Sequence, residues 1–408
     1  MIFFFLLLFA LSLFTILSLR DQKFGILILF SLLPTYLVRF SIGPIPTTLL
    51  ECLVLITIVV AVIRSLINKT TQHDASLVWR SLGWYRVPLI VTLIAAIIST
   101  LVAADVLSAL GILKAYFIEP ALLAFVVKSV MHERKDVERI IDALCVSGSA
   151  IGLLAILQVL FHFGIPDAWS IENRATSLYD YPNAVGLFLA PIVVMGMVRL
   201  RRLSPFHILA IFLMLGGIVA AKTEAALVAI PVALFVIALI APIHHRIKAG
   251  IVALSIIGVL IATSMMPSIV QKITLQDSSG LVRRAQWSET LHMLADRPFF
   301  GAGLSGYAMA LIPYHDATFY EIFQYPHNIL LNMWSELGLL GVLAHVAGLL
   351  LLIRTTWRRR NDPLILCFSA AILTMIIHGL VDVPFFKNDL AILTAFCLMG
   401  MTVPRRST

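Results

Sequence analysis

The most constraining feature of this sequence is a succession of apolar runs, each about 15–25 residues long, that fills most of the chain. About 20 helical residues cross the ~30 Å hydrocarbon core of a bilayer. In lipid the backbone must satisfy its own hydrogen bonds, and a helix does so within a single segment. The sequence therefore predicts an all-α polytopic membrane protein.

Composition supports this class and excludes several others. Hydrophobic residues make up 60% of the chain and charged residues 13%, whereas soluble domains average about 45–50% and about 25%. This hydrophobicity also excludes a disordered chain. The net charge of +8 comes from short loops and not from a basic-aromatic patch, so no nucleic-acid partner is predicted. The four cysteines lie singly in apolar runs, which predicts buried thiols.

The runs predict about 12–13 transmembrane helices. The first begins at Ile2 and has its first basic residue, Arg20, at its far end, which favours a retained helix over a signal peptide. About two thirds of the Lys and Arg residues fall in one set of loops, which are therefore predicted to be cytoplasmic. We predict N-terminal transmembrane helices at 1–163, central ones at 164–266 with a short outer loop at 164–182, a long outer loop with an amphipathic helix at 267–327, and C-terminal ones at 328–408. The spans include 24–38, 106–127 and 328–353.

The long outer loop is predicted to be structured. Ser278 or Ser279 is expected to cap a helix that ends near Asp296-Arg297-Pro298. Its apolar residues recur at near-helical spacing, which predicts that this stripe lies on the membrane surface or packs on the bundle. The stripe consists of Leu281, Ala285, Trp287, Leu291 and Leu294.

A few cations are predicted at the outer face, although positive-inside bias acts against them. Arg283 and Arg284 lie on the amphipathic helix, Arg174 in the shorter loop, and Lys222 at the turn of a helical hairpin. Guanidinium groups bind phosphate oxygens bidentately, so this set predicts a site for a lipid-linked diphosphate. The alternative is pairing with lipid head groups or glutamates, as Arg284 with Glu289.

His327 follows Tyr325-Pro326 and opens an apolar helix at the predicted outer boundary. An imidazole is the usual side chain for taking a hydroxyl proton near neutrality, so His327 is the candidate base. The alternative is an N-capping or interfacial histidine. Asn328 and Glu336 are further polar residues of this helix, and polar groups within a span point to a site.

Three more groups carry polar residues near helix ends. Asn183, after Tyr181-Pro182, is expected to cap its helix or to bind a sugar hydroxyl. Asp382 lies four residues after His378, so it either orients that ring or forms a local helix-end bond. Lys114 and Glu119, five residues apart, predict a structural pair within the membrane.

Several segments together resemble the O-antigen ligase and polymerase superfamily of bacterial undecaprenyl-diphosphate-glycan transferases. The resemblance extends over roughly residues 130–403. One departure lies at the hairpin turn, where the family often has Ser-Arg-Gly and this chain has Lys222-Thr223-Glu224. The matching segments are Arg174 to Gly186, Arg283-Arg284, Arg297-Pro298-Phe299-Phe300-Gly301-Ala302-Gly303, His327-Asn328, Glu336-Leu337-Gly338 and His378 to Asp382.

The resemblance implies the architecture of the C class of membrane glycosyltransferases. It implies transfer of a glycan from undecaprenyl diphosphate to an acceptor hydroxyl, with inversion and without a metal or cofactor, at the outer face of the bacterial inner membrane. His327 would activate the hydroxyl, and Arg283, Arg284 and Arg174 would neutralise the diphosphate. The acceptor would be lipid A–core, a polysaccharide or a protein.

Other functions stay open at this point. A polymerase of glycan repeat units shares the motif residues with a ligase. A lipid-linked glycan transporter or flippase is the alternative from a different class, although transporters carry their charges near mid-bilayer and the distinctive residues here crowd one face. A non-catalytic partner of an assembly complex is the third alternative.

Overall fold

The computed structural model describes residues 2–43, 45–68, 71–199, 204–264 and 275–404, and these are mostly helical. Residues 267–274, with which the predicted long outer loop begins, lie outside the described residues. The helices are α1 Ile2–Arg20, α2 Gln22–Ser31, α3 Leu49–Ile67, α4 Thr71–Ser81, α5 Arg86–Leu101, α6 Val106–Ile112, α7 Glu119–Val130, α8 Arg134–Phe161, α9 Asp167–Ser170, α10 Pro182–Arg199, α11 Pro205–Ala220, α12 Glu224–Ile240, α13 His245–Ser264, α14 Ser278–Asp296, α15 Tyr307–Leu311, α16 Ile329–Arg358, α17 Pro363–His378 and α18 Asn388–Gly400.

Six helical segments of the described chain are long and apolar enough, judged by length and composition, to cross a membrane. Six shorter apolar helices of 10–17 residues accompany them. The prediction of an all-α polytopic membrane protein is thereby confirmed at the level of class. The six long segments are Ile2–Arg20, Leu49–Ile67, Gly83–Leu101, Val106–Val130, Arg134–Phe161 and Ile329–Arg358.

The predicted span at 24–38 is wrong in its second half. α2 ends at Ser31, a 3₁₀ turn covers Leu33–Leu37, and a two-stranded antiparallel hairpin follows, with β1 at Arg39–Ile42 and β2 at Ile45–Thr48. Pro34 in the turn has no N–H and cannot extend the helical ladder. The chain therefore carries a β-hairpin that its hydropathy does not reveal.

The predicted span at 106–127 is helical but irregular, because Leu113–Ile118 forms a π-helical turn between α6 and α7. A π turn brings residues five apart onto one face. Lys114 Nζ accordingly lies 3.8 Å from Glu119 Oε1, which confirms the predicted pair. The closer partner is Glu51 of α3, whose Oε2 lies 3.0 Å from Nζ.

Helix α14 ends at Asp296 as predicted, but its cap and its buried face differ from the prediction. Asp277 caps it through Gly280 N, in place of Ser278 or Ser279. Leu281 and Leu291 of the predicted apolar stripe are about half exposed, and polar residues of α14 are buried. The polar face turns inward because its side chains have partners there: Gln286 Nε2 donates to Tyr325 O at 3.0 Å, Thr290 Oγ1 lies 2.8 Å from Tyr307 Oη, and Glu289 lies 3.0 Å from His315 Nδ1.

Helix α16 is broken at Gly338, which has φ 66° and ψ −175°. A straight helix from Arg358 to Ile329 would rise about 43 Å, whereas α17 rises only about 22 Å. The two helices are joined by a short turn, yet Ile329 N donates to Gly379 O at 2.7 Å. The first nine residues of α16 must therefore bend back over the end of α17.

The turn at Pro298–Ala302 supplies the hydrogen bonds that the break removes. In an unbroken helix, Leu339 N would donate to Ser335 O. Here Leu339 N donates to Phe299 O at 2.9 Å, and Ser335 O accepts from Ala302 N at 2.7 Å. Trp334 Nε1 adds a bond of 2.7 Å to Pro298 O. The broken helix thus keeps its backbone satisfied inside the protein.

Candidate functional site

His327 lies directly before the bent end of α16, with φ 47° in the left-handed region. Such a conformation costs a non-glycine residue on the order of 1–3 kcal/mol and persists only where neighbours hold it. Trp287 Nε1 donates to Pro326 O at 2.8 Å on one side. On the other side, Asn328 Oδ1 caps α16 through Leu330 N and Leu331 N. The imidazole is thereby held at a fixed point, still 23% exposed.

Asp382 is the charged partner of His327, and not of His378. Its Oδ1 lies 3.5 Å from His327 Nδ1, while both ring nitrogens of buried His378 have no hydrogen-bond partner among the described residues. Of the two alternatives for Asp382, a hydrogen bond that orients the His378 ring is therefore not formed, although the two groups interact electrostatically. The chain reverses after α17 through Val381, whose N donates to His378 O. This turn brings Asp382 to His327.

Asp382 is buried and ionised. Burial by itself raises the pKa of this carboxyl, but His327, His378 and the N–H of Val383 lower it to about 2. Asn183 Nδ2 also donates to Asp382 Oδ2 at 3.3 Å. A fixed negative charge beside an imidazole stabilises the protonated ring and orients it.

Asn183 links this pair to Arg174, whose Nη2 donates to Asn183 Oδ1 at 3.2 Å. The guanidinium also donates through Nε to Ala221 O at 3.2 Å and lies over the Trp169 ring. Lys222, at the same hairpin turn, donates to Glu172 O. Arg174 and Lys222 thus lie close to one another as expected, but much of their donor capacity holds the loop and the turn together.

Arg283 is the half-buried cation of α14, and its Nε has no hydrogen-bond partner among the described residues. It lies within electrostatic range of His378. Arg284 is exposed on the same helix. Its alternative partner Glu289 is taken up instead by His315 and by the hydroxyl of Tyr320. Of the two arginines, Arg283 is the one within electrostatic range of His378.

Polar atoms without partners concentrate in this part of the described chain. Helix α16 packs on both α14 and α17 there. Buried polar groups in proteins nearly always have partners, and exceptions often mark a place where water or a ligand binds. The atoms are Arg283 Nε, Gln286 Oε1, His327 Nδ1, both amide atoms of Asn332, and both ring nitrogens of His378.

Glu336 is buried on α16 and contacts the turn before α15. Its Oε2 accepts a hydrogen bond of 2.7 Å from Ser305 N. It therefore holds the glycine-containing turn before α15, next to the break of α16. Among the described residues no contact joins it to His327.

Three further aromatic or charged residues lie near His327. Tyr325 packs edge-on against the His327 ring at 4.9 Å, and its hydroxyl lies 3.3 Å from that of Tyr181. Lys387 Nζ lies 4.2 Å above the Tyr181 ring. Tyr325 was expected as a supporting residue, whereas Tyr181 and Lys387 were not. The only sequence signal for Lys387 is its place among the few outer cations.

A comparison with protein-family models matches a segment that contains part of this site. Residues 209–346 match the family model of the O-antigen ligases. The match covers about a third of the chain and supports the O-antigen ligase superfamily for this protein. A comparison with curated proteins finds no match.

The matched segment contains Lys222, Arg283, Arg284, His327 and Glu336. The residues that complete the surroundings of His327 lie outside it, on both sides. They are Arg174, Tyr181, Asn183, His378, Asp382 and Lys387. Among the described residues no three His, Cys, Asp or Glu side chains are grouped so that they could hold a metal ion.

Proposed function

We propose that this protein transfers a glycan from undecaprenyl diphosphate to an acceptor hydroxyl, as an O-antigen ligase-like enzyme of the bacterial inner membrane. The observation that carries the proposal is the His327–Asp382 pair. His327 lies within the segment that matches the O-antigen ligases, and Asp382 lies C-terminal to that segment. The imidazole is held in a fixed orientation. We include in the proposal the architecture of the C class of glycosyltransferases and a site at the periplasmic face.

His327 acts as the base in this proposal. With Asp382 at Nδ1, the remaining nitrogen, Nε2, takes the proton of the acceptor hydroxyl. The hydroxyl oxygen attacks the anomeric carbon from the face opposite the leaving group, so the configuration inverts. The bond from that carbon to the diphosphate breaks, and undecaprenyl diphosphate leaves with the electron pair.

The cations of the site stabilise the leaving group. A diphosphate leaves readily once its developing charge is neutralised, so positioned cations and a base account for the chemistry without a metal ion. Arg283 is the best placed of them, because its Nε has no hydrogen-bond partner among the described residues. Arg284, Arg174 and Lys222 add positive charge around it, and Asn183 and Asn328 hold the surrounding backbone and carboxylate.

The test is a reconstitution of the purified protein with an undecaprenyl-diphosphate glycan, a panel of acceptors and EDTA. Products are read by mass spectrometry, and the anomeric configuration by NMR. One glycan on a non-carrier acceptor identifies a ligase, and a ladder of repeats on the carrier identifies a polymerase. If no product forms with any acceptor and the glycan crosses the vesicle membrane instead, the transporter alternative replaces the enzyme.

Two histidine variants make the test specific. His327→Ala is expected to lower the transfer rate by about 10²–10⁴-fold, the usual contribution of a general base. His244→Ala removes an exposed histidine that lies outside the site and is expected to leave the rate unchanged. Full activity of folded His327→Ala protein would contradict the base assignment.

A further inference from the structure

Lys387 lies between the end of α17 and the start of α18, where it is the residue preceding the first turn of α18. Its ammonium stacks on the Tyr181 ring at 4.2 Å. Tyr181 in turn contacts Tyr325, whose ring packs on His327. Lys387 is therefore joined to the candidate base through two aromatic rings.

The position of Lys387 is fixed by its neighbour. Asn388 Nδ2 donates to Glu51 Oε1 at 3.1 Å. Glu51 is itself held by Lys114 at 3.0 Å and by the hydroxyl of Thr47 at 2.9 Å. The start of α18 is thus anchored to α3 and to the π-helical turn.

The acidic groups near Lys387 are Asp180, Asp382 and Asp389. Asp382 has the donors already described, and Asp389 accepts from Leu390 N at 2.8 Å. Among the described residues no carboxylate forms an ion pair with Lys387. The three donors of its ammonium are therefore not used by the neighbouring acids.

A second cation lies near Lys387. Arg39, exposed on β1, lies within electrostatic range of Lys387. Burial lowers the pKa of Lys387, the three aspartates oppose this, and Arg39 adds to it. The aspartates oppose this lowering without forming an ion pair with Lys387, so its ammonium can still donate to an anionic ligand, which would also be attracted to Arg39.

We propose that Lys387 is an anion-binding residue of the site and that it holds a phosphate or other anionic group of a substrate against the Tyr181 ring. Arg39 assists it from the β-hairpin. The anionic group belongs either to the diphosphate donor or to an acidic or phosphorylated saccharide acceptor, since both offer the same oxygen acceptors. This inference rests on the proposed function for the identity of the substrate.

Three variants test the role of Lys387. Lys387→Met removes the charge and keeps the length of the side chain, Lys387→Arg keeps the charge, and Arg39→Gln removes the exposed neighbour. Lys135→Met is the matched control, because Lys135 is exposed and pairs only with Glu133 at 2.8 Å among the described residues. Each protein is first compared in thermal stability, so that rates and affinities are quoted per folded protein.

The first measurement is the thermal stabilisation of the detergent-solubilised protein by inorganic pyrophosphate, which needs no transfer activity. Lys387→Met is expected to raise the half-saturating concentration about tenfold or more, the loss typical of one charge-assisted hydrogen bond. Lys387→Arg is expected to preserve binding, and Arg39→Gln to weaken it less. If the wild-type protein binds pyrophosphate through Lys387 but transfers no glycan, the proposed function is contradicted. The inference about Lys387 still holds in that case.

The second measurement is steady-state transfer with donor and acceptor varied separately. A rise in the donor KM of Lys387→Met assigns the anion to the diphosphate, and a rise in the acceptor KM assigns it to the acceptor. Either result, restored by Lys387→Arg, supports the proposal. Unchanged pyrophosphate binding together with two unchanged KM values overturns it, as does an equal loss in folded Lys387→Arg protein.

Discussion

Charged side chains have different partners at the two ends of the helical bundle. At one end, here termed the paired end, arginines meet carboxylates in two-pronged contacts. Arg134 bonds both oxygens of Asp362 at 2.6 and 2.9 Å, and Arg199 bonds both oxygens of Asp142 at 2.8 and 2.9 Å. The paired end comprises Lys23, Arg134, Asp136, Asp142, Arg199, His207 and Asp362.

At the opposite end, which carries His327, charged groups are half-buried but keep unused donors. Arg283 and Lys387 form no ion pair with a carboxylate of the described chain, and His378 has no hydrogen-bond partner there. Unpaired buried charge is costly in the free protein. A ligand that supplies the missing charge would remove this cost, so we expect the comparison to separate groups that stabilise the fold from groups that bind a ligand.

The largest expected effect comes from the same isosteric change at each end. Asp382→Asn removes the negative charge beside His327 and is expected to lower the transfer rate on the order of 10²-fold, because the protonated imidazole loses its counter-ion. Asp142→Asn leaves Arg199 and His207 with a neutral partner, and is expected to lower the free energy of unfolding by about 1–3 kcal/mol. Rates per folded protein and denaturation curves measure both. Equal losses of rate in the two variants would contradict the division between the ends.

The second prediction concerns two glycines of one helix. A Cβ at Gly338 would lie 2.3 Å from Phe299 O, and its φ of 66° disfavours any other residue. Gly338→Ala is therefore expected to cost about 1–3 kcal/mol of stability and to displace His327, with loss of transfer. Gly348→Ala is the control, since its Cβ would approach only Pro88, at 3.9 Å. It is expected to be neutral or to stabilise by about 0.4–1 kcal/mol. Similar behaviour of the two variants would show that the break at Gly338 does not position the site.

The smallest expected effect is a pH dependence at Glu289 in the outer segment. Burial by itself raises the pKa of Glu289, but hydrogen bonds from His315, Tyr320 and Ala317 N lower it below its ordinary value. A carboxyl with a lowered folded-state pKa stabilises the protein above its unfolded pKa, about 4.3, and loses that contribution as the pH falls through the folded value.

Thermal denaturation from pH 7 down to pH 3 measures this effect against the matched variant Glu289→Gln. The wild type is expected to be the more stable protein at neutral pH, and the difference is expected to disappear in acid. A difference that grows on acidification would contradict the assigned sign. A pH-independent difference would mean that the carboxylate charge of Glu289 is not what holds residues 315–320 against α14.

The sequence predicts those features that depend on local pattern. Apolar runs locate the membrane segments, and Asp296-Arg297-Pro298 marks the end of α14. The spacing of Lys114 and Glu119 matches the pair, although the π turn that brings them together does not follow from the residues. The β-hairpin at 39–48 is not predicted, because its apolar residues and the preceding Pro34 are also compatible with an interrupted helix.

Features that depend on distant contacts are not predictable in this way. A glycine inside an apolar helix is usually tolerated as such, so Gly338 gives no sign that the helix breaks there. Its break requires the turn at Pro298–Ala302. Asp382 is misassigned for the same reason, because the four-residue spacing favours His378 while the folded chain delivers the carboxylate to His327.

The exchange of hydrogen bonds at Gly338 has a consequence for biogenesis. While α16 enters the lipid alone, Leu339 N has no partner other than Ser335 O, so the segment is expected to insert as an unbroken rod. The rod opens only when the turn at Pro298–Ala302 docks and offers replacement bonds. We expect His327 to reach the end of α17 only after this docking, so the His327–Asp382 pair would form late in folding.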